Sequence, residues 1–476
     1  MSIGLWVPLI WVTVLASRPL DQWLHPSSVL GQGIEDGSAV DRNILSVLMA
    51  ISLVILFKRK LKWAQWFRAN PWLVVYLVFC GLSIVWSDFS GIALKRWTRA
   101  LGAVMMILVV LSESDPVAAL ATLVRRSAYV LVPFSILLIK YYRELGIAYD
   151  SWTGAQMFIG VATDKNGLGR LCLVSGLFSA WELVTVRNNP HIHHDKVNRL
   201  ICFVIFVSTV WLLRLADSAT SLVGILVGSL IVVTLGLPIV KAKVKHLGTI
   251  AIATFVTVIT LGLSFGFAEE IAASLGRNLT LTDRTFIWND LLQMGTNPLL
   301  GVGYDSFWLG ERLESFVQKY HVTSAHSGYL EIYLELGLLG LGLFGLWLCS
   351  VFWKAKKSLF SSFDYGRLRI AVLTVFLLYN VTESGYKTTT FICFVLLLVA
   401  IESPARTQEA PQKSIASSYW ALRFRSAPVF SRERTRVLPG RGTAPRKDRG
   451  ETMAFKPEGF QKKRCSRPAP WQKLVD

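Results

Sequence analysis

Cysteine is scarce in this chain, and acid is scarcer than base. Six cysteines stand among 476 residues, with 50 Lys and Arg against only 31 Asp and Glu. Cys80, Cys172, Cys202, Cys349 and Cys393 each fall inside an apolar run, where a thiol behaves as a small hydrophobe, and Cys465 stands near the C-terminus. No pair suggests a disulfide and no set has zinc-ligand spacing. The HIHHD segment (191–195) falls in a loop read as cytoplasmic. Its adjacent His193 and His194 are poorly spaced for one ion, so no metal is expected. An internal repeat is also missing, which counts against a transporter built from two related halves. No basic stretch precedes the first apolar run and no small-residue cleavage site follows it, so a cleaved signal peptide is not expected.

Hydrophobic residues make up 53% of the chain, and its mean hydropathy is +0.46. Repeated apolar runs of roughly 15–25 residues suit helices that cross a hydrocarbon core. They predict about twelve spans, at 2–16, 43–57, 71–87, 99–111, 127–139, 167–186, 200–213, 219–240, 247–267, 329–353, 368–382 and 388–402. The expected fold is therefore all-α, a polytopic membrane domain over 1–403. One large external loop, 268–328, is expected to carry short amphipathic helices. Alternate loops contain KRKLKWAQWFR (58–68), Arg125 and Arg126, Arg187, Lys196 and Arg199, KAKVK (241–245), and KAKK (354–357) with Arg367 and Arg369. The greater density of base on that side places both termini in the cytoplasm and the 268–328 loop outside. Residues 404–476 form a basic tail rich in Pro, Ser, Gly and Arg, expected to be disordered. From Glu402 onward there are 17 Lys and Arg against 7 Asp and Glu. Attraction to anionic lipid heads explains that charge better than nucleic acid, because no aromatic or motif pattern accompanies it.

The external loop holds the residues best suited to chemistry. In 282–298, Thr282 is a candidate N-cap and Asp283 would favour the first turn. Phe286, Ile287, Leu291, Leu292 and Met294 form one apolar side of a short helix, which Pro298 and the glycines of 301–303 end. Arg284 sits in the first turn. Its guanidinium can hold two phosphate oxygens, or it can form an ion pair with Asp283 or Asp305. His326 stands just before a helix that runs on from about Tyr329, and a neutral imidazole there can take a proton from a sugar hydroxyl. The alternative is a hydrogen-bonded histidine at the interface. Glu331 and Glu335 share a helix face. Glu335 lies inside the apolar run, where an ionisable group is costly. It can orient His326, pair with an arginine of another helix, or belong to a structural ion pair.

Other polar residues sit at the outer ends of apolar runs. Arg214 closes one run with Asp217 close behind. Ser218, Thr220 and Ser221 follow, best read as close-packing residues, although they can also donate to phosphate. GVATDKNGLGR (160–170) puts Asp164, Lys165 and Asn166 at the start of a helix and Arg170 one turn in, a place that suits an anion. Glu383 and Lys387 flank the last external turn and can line the same cavity.

The segments DKNGLG (164–169), RLADSATSLVG (214–224), DRTFIWND and NPLLGVGYDSFW within 283–308, and AHSGYLEIYLELGLLGLGLFG (325–345) together resemble the O-antigen ligase/polymerase superfamily of bacterial envelope proteins. SRPLDQWL near the N-terminus and WSDFSGIALKR (86–96) make the chain most similar to the exopolysaccharide-production, polymerase-like branch. The resemblance implies a multi-pass glycosyltransferase of the bacterial inner membrane with a periplasmic site and neither cofactor nor nucleotide. Its donor would be an oligosaccharide on a polyprenyl diphosphate, and its acceptor a second lipid-linked repeat or lipid A-core. Chain-length regulation and export machinery would be further partners. By motif it carries over Arg214, Arg284 and His326 as the catalytic set. Lys165, Asn166, Arg170, Ser218 and Glu335 are the expected substrate-binding residues. The family more often has His-Asn where this chain has His326-Ser327, which keeps a hydroxyl and loses an amide. Ligation to lipid A-core is the first alternative to polymerisation. A small-anion transporter is the second, and a purely structural membrane scaffold the third.

Overall fold

The computed structural model describes residues 2–24, 38–150, 154–188, 196–242 and 284–402. The expected span 247–267, the first part of the external loop (268–283), the HIHHD segment and the tail 404–476 lie outside the described residues. Every other expected span is helical: α1 (Trp6–Leu15), α2 (Ala39–Lys58), α3 (Pro71–Leu82), α4 (Ser90–Leu111), α5 (Pro116–Tyr141), α6 (Lys165–Asn188), α7 (Lys196–Leu215) and α8 (Ala219–Leu235). The segment expected to form the external loop contains α9 (Arg284–Gln293) and α10 (Gly310–Tyr320), followed by α11 (Gly328–Ser361), α12 (Phe363–Thr382) and α13 (Phe391–Ala400). A small antiparallel hairpin, β1 (Ile147–Tyr149) with β2 (Gln156–Phe158), departs from the all-α expectation.

Local sequence explains where several helices begin. Ser38 accepts from the Val40 N–H at the start of α2. Asp115 accepts from the Ala118 N–H ahead of Pro116 in α5, and Thr390 accepts from the Cys393 N–H at α13. Each satisfies a donor that the first helical turn would leave open. Among the described residues, five helices are long and apolar enough to cross a membrane. They are α2, α5, most of α6, most of α7, and α11, so the chain is a multi-pass membrane protein. The helix Trp63–Ala69 meets the following apolar segment at 96° and adds a sixth span if the bent pair counts as one. α6 is the most enclosed of the five, with 78% of its apolar window buried against 22% for α2. It packs among α5, α7, α8 and α13.

α11 is not one helix. Gly337 has φ 65° and ψ −167°, which breaks it two turns in. The break leaves the Leu334 and Glu335 carbonyls and the Leu338 and Leu339 N–H groups without their helical partners. Residues 298–303 run antiparallel past the gap and take all four. Val302 N donates to Leu334 O at 3.1 Å and Gly303 N to Glu335 O at 2.8 Å. Leu338 N donates to Pro298 O at 2.8 Å and Leu339 N to Leu299 O at 3.2 Å. Irregular backbone can lie among spanning helices when its polar groups are met in this way. The turn expected only to end a short helix therefore anchors the segment between α9 and α10 inside α11.

Candidate active site

The entrance to α6 is held by a residue far away in sequence. The Arg18 Nη2 donates to the carbonyls of Leu145 at 2.6 Å, Gly160 at 2.7 Å and Ala162 at 3.2 Å, and its guanidinium lies over Trp23. The SRPLDQWL run thus gathers carbonyls that no helix or sheet would satisfy. Asp164 then accepts from the Gly167 N–H at 2.8 Å and caps α6. Lys165 is the first residue of the helix and is half-buried, with no ion-pair partner among the described residues. Arg170, one turn in, lies 3.8 Å from Asp164.

Asn166 reaches across the bundle. Its Nδ2 donates to Glu383 Oε2 at 3.1 Å, and the same oxygen stands 3.5 Å from His326 Nδ1. His326 is 29% exposed at its side chain and Glu383 8%, so the ring is the more accessible of the two and the carboxylate lies behind it. His326 has φ 49°, a left-handed conformation uncommon for a non-glycine residue. The turn is fixed on both sides. Ala325 N donates to Glu331 Oε1 at 3.0 Å, Trp288 Nε1 donates to Ala325 O at 2.7 Å, and Gly328 N donates to Glu383 O at 3.2 Å. Ser384 closes the set with a bond to the other oxygen of Glu331.

Arg214, next to last in α7, is exposed and has no side-chain partner among the described residues. It sits at the same end of the bundle, because Thr220 in the first turn of α8 hydrogen-bonds Thr382 at 2.8 Å, one residue before Glu383. Ser218 is buried and bonds Ser221 at 3.0 Å. Both lie against Gly169, where a β-carbon would stand 2.6 Å from the Ser218 hydroxyl. Packing accounts for these serines. Arg284 is the first residue of α9, and its side chain, like Thr282 and Asp283, lies outside the described residues. The apolar residues of α9 face two ways rather than one. Ile287 and Leu291 are buried with Phe307, Phe316 and Leu334, whereas Phe286 and Leu292 are 60% and 57% exposed.

Glu335 does not orient His326. It is 0% exposed, accepts from the Asp305 N–H at 2.9 Å and lies 3.5 Å from Lys387 Nζ. Lys387 also contacts Asp305 Oδ1 at 2.5 Å and lies 4.0 Å from Glu331. Arg96 joins through the Asp305 carbonyl. The cation expected from another helix is therefore a lysine from the α12–α13 turn. Burial pulls the Lys387 ammonium down, but Asp305, Glu335 and Glu331 outweigh it and hold it above the usual lysine range. Asp305 is thus engaged by Lys387 and Arg96.

Among the described residues, no group of three His, Cys, Asp or Glu is arranged to hold a metal ion. The pairing of Glu383 with His326 is not legible from spacing, because the two flank different helices. A carboxylate at a helix end beside a glycine turn was its only signal.

Residues 203–345 match the family model described as O-antigen ligase. The matched stretch contains Arg214, Ser218, Arg284, His326 and Glu335 and ends before Glu383. Over 302 residues the chain is 24% identical to the exopolysaccharide production protein ExoQ of Rhizobium meliloti (strain 1021), covering 61% of this chain and 66% of that protein. The chain thus spans just under two thirds of the length of that curated relative. In these stretches the chain is similar to proteins of the O-antigen ligase and exopolysaccharide-production kind.

Proposed function

We propose that this protein polymerises polyprenyl-diphosphate-linked oligosaccharide repeats into an exopolysaccharide or O-antigen on the outer face of the inner membrane. The observation that carries this reading is the meeting of His326 and Asn166 on Glu383, at helix ends where Lys165 and Arg214 have no ion-pair partner among the described residues. An acceptor sugar hydroxyl attacks C1 of the donor glycan and loses its proton to His326. The C1–O bond to phosphate breaks, and its electron pair leaves on the polyprenyl diphosphate. In-line attack inverts the anomeric centre. Arg214, Arg284 and Lys165 meet the growing negative charge as fixed cations in a site of lowered dielectric. The activated diphosphate linkage supplies the drive, so no nucleotide is needed.

Ligation to lipid A-core uses the same chemistry, and the matched family's description favours it as a second reading. A small-anion transporter calls for broken helices around a midplane site. α11 is broken, but chain fills the gap and takes its freed groups, which counts against that reading. Glycans on the carrier lipid separate the first two. Cells carrying His326→Ala, with the protein present in the membrane, are expected to accumulate single repeats on the carrier. Long polymer left on the carrier would instead mark a ligase, and normal polymer on its normal acceptor would remove His326 from catalysis.

A further inference from the structure

We infer that Glu383 is a positioning residue for His326: it holds the Nδ1 proton and so presents an unprotonated Nε2 to the acceptor hydroxyl. The inference rests on the reading of His326 as the base. A neutral imidazole carries its proton on one nitrogen and a lone pair on the other. A carboxylate only accepts, so one placed at Nδ1 favours the Nδ1–H tautomer and leaves the lone pair on Nε2. Glu383 Oε2 lies 3.5 Å from Nδ1. That is longer than a formed hydrogen bond, as catalytic contacts often are before substrate tightens them.

Three features aim this carboxylate at the ring. Asn166 donates to the same oxygen from the first turn of α6. The Glu383 carbonyl takes the Gly328 N–H, which ties its backbone to the turn that carries His326. Glu383 N donates to Tyr379 O at 2.9 Å, so the residue continues the last turn of α12. Its side chain is 8% exposed against 29% for the ring, so the imidazole, not the carboxylate, meets the acceptor. In the reaction the hydroxyl proton moves to Nε2 as the new C1–O bond forms and the diphosphate departs. The Nδ1 proton stays in place, and the imidazolium is stabilised by Glu383 until Nε2 releases its proton to water.

Two measurements on protein in nanodiscs test the assignment. The first uses the lipid-linked repeat extracted from cells lacking this protein. Glu383→Ala is expected to lower kcat by about 10²-fold with KM within about twofold, and Glu383→Gln to recover part of it, because its amide oxygen still accepts from Nδ1–H. The second is ¹⁵N NMR of histidine-labelled protein, with His326 identified by its loss in His326→Ala. The ring is expected as the Nδ1–H tautomer in the native protein and as a mixture in folded Glu383→Gln or Glu383→Ala. An Nε2–H tautomer in the native protein overturns the positioning role. So does full kcat in Glu383→Ala when His326→Ala is dead, and that outcome leaves His326 as the base. An active His326→Ala sinks the base reading itself.

Discussion

A β-carbon on Gly337 would stand 2.2 Å from the Leu299 carbonyl carbon, and one on Gly301 would stand 2.3 Å from that of Glu335. The two glycines are required by the same crossing. Both also have φ near 65°, where a side chain is strained regardless of space. The polar groups opened by one are closed by the segment containing the other.

Gly337→Ala and Gly301→Ala are therefore expected to destabilise the protein. The left-handed backbone alone costs about 1–3 kcal/mol at a non-glycine residue, and the overlap with backbone adds to it. Thermal unfolding of the detergent-solubilised protein measures this. A native melting temperature in either variant would mean that the loop is not seated in the helix break.

Lys387→Met is expected to cost about 3–5 kcal/mol, because it leaves the buried Glu335 and its neighbours without their cation. The pH dependence has a defined sign. Since the folded protein holds Lys387 above its ordinary value, its contribution is full below about 10.4 and fades only as pH rises through the raised folded value. The stability gap between native and Lys387→Met should stay level from about pH 7 to 10. A gap that closes by about pH 9 would show an ordinary or depressed lysine.

Arg214→Ala is expected to separate activity from stability. The side chain is exposed and has no partner among the described residues, so stability should change by less than about 0.5 kcal/mol. Loss of a fixed cation at the departing diphosphate should lower polymer synthesis by about 10²-fold. Arg214→Lys keeps the charge and loses the fork, and an intermediate rate is expected. Unfolding in step with lost synthesis would instead make Arg214 a structural residue.

Helices were legible wherever an apolar run was long enough to decide them. The run at 99–111 shows only the inner part of α4, which begins at Ser90, because Lys95 and Arg96 break the apolar pattern without breaking the helix. β1 and β2 have three residues each, too few for an alternation to show. LELGLLGLGLFG reads as continuous helix, since glycine is common in spanning helices and only Gly337, of its several glycines, is turned out of helical geometry. Glu335 looked functional because it is an acid in an apolar run. The tertiary structure gives that acid to Lys387 and gives His326 a different carboxylate.

Composition and periodicity alone settled that this is a helical membrane protein, because apolar length and regular spacing are properties of neighbours along the chain. The motifs carry the family resemblance for the same reason. Which acid faces His326, which backbone fills the gap at Gly337 and which arginine gathers the carbonyls before α6 were decided only in three dimensions. Each joins segments whose separation along the chain carries no period, so only packing brings them together.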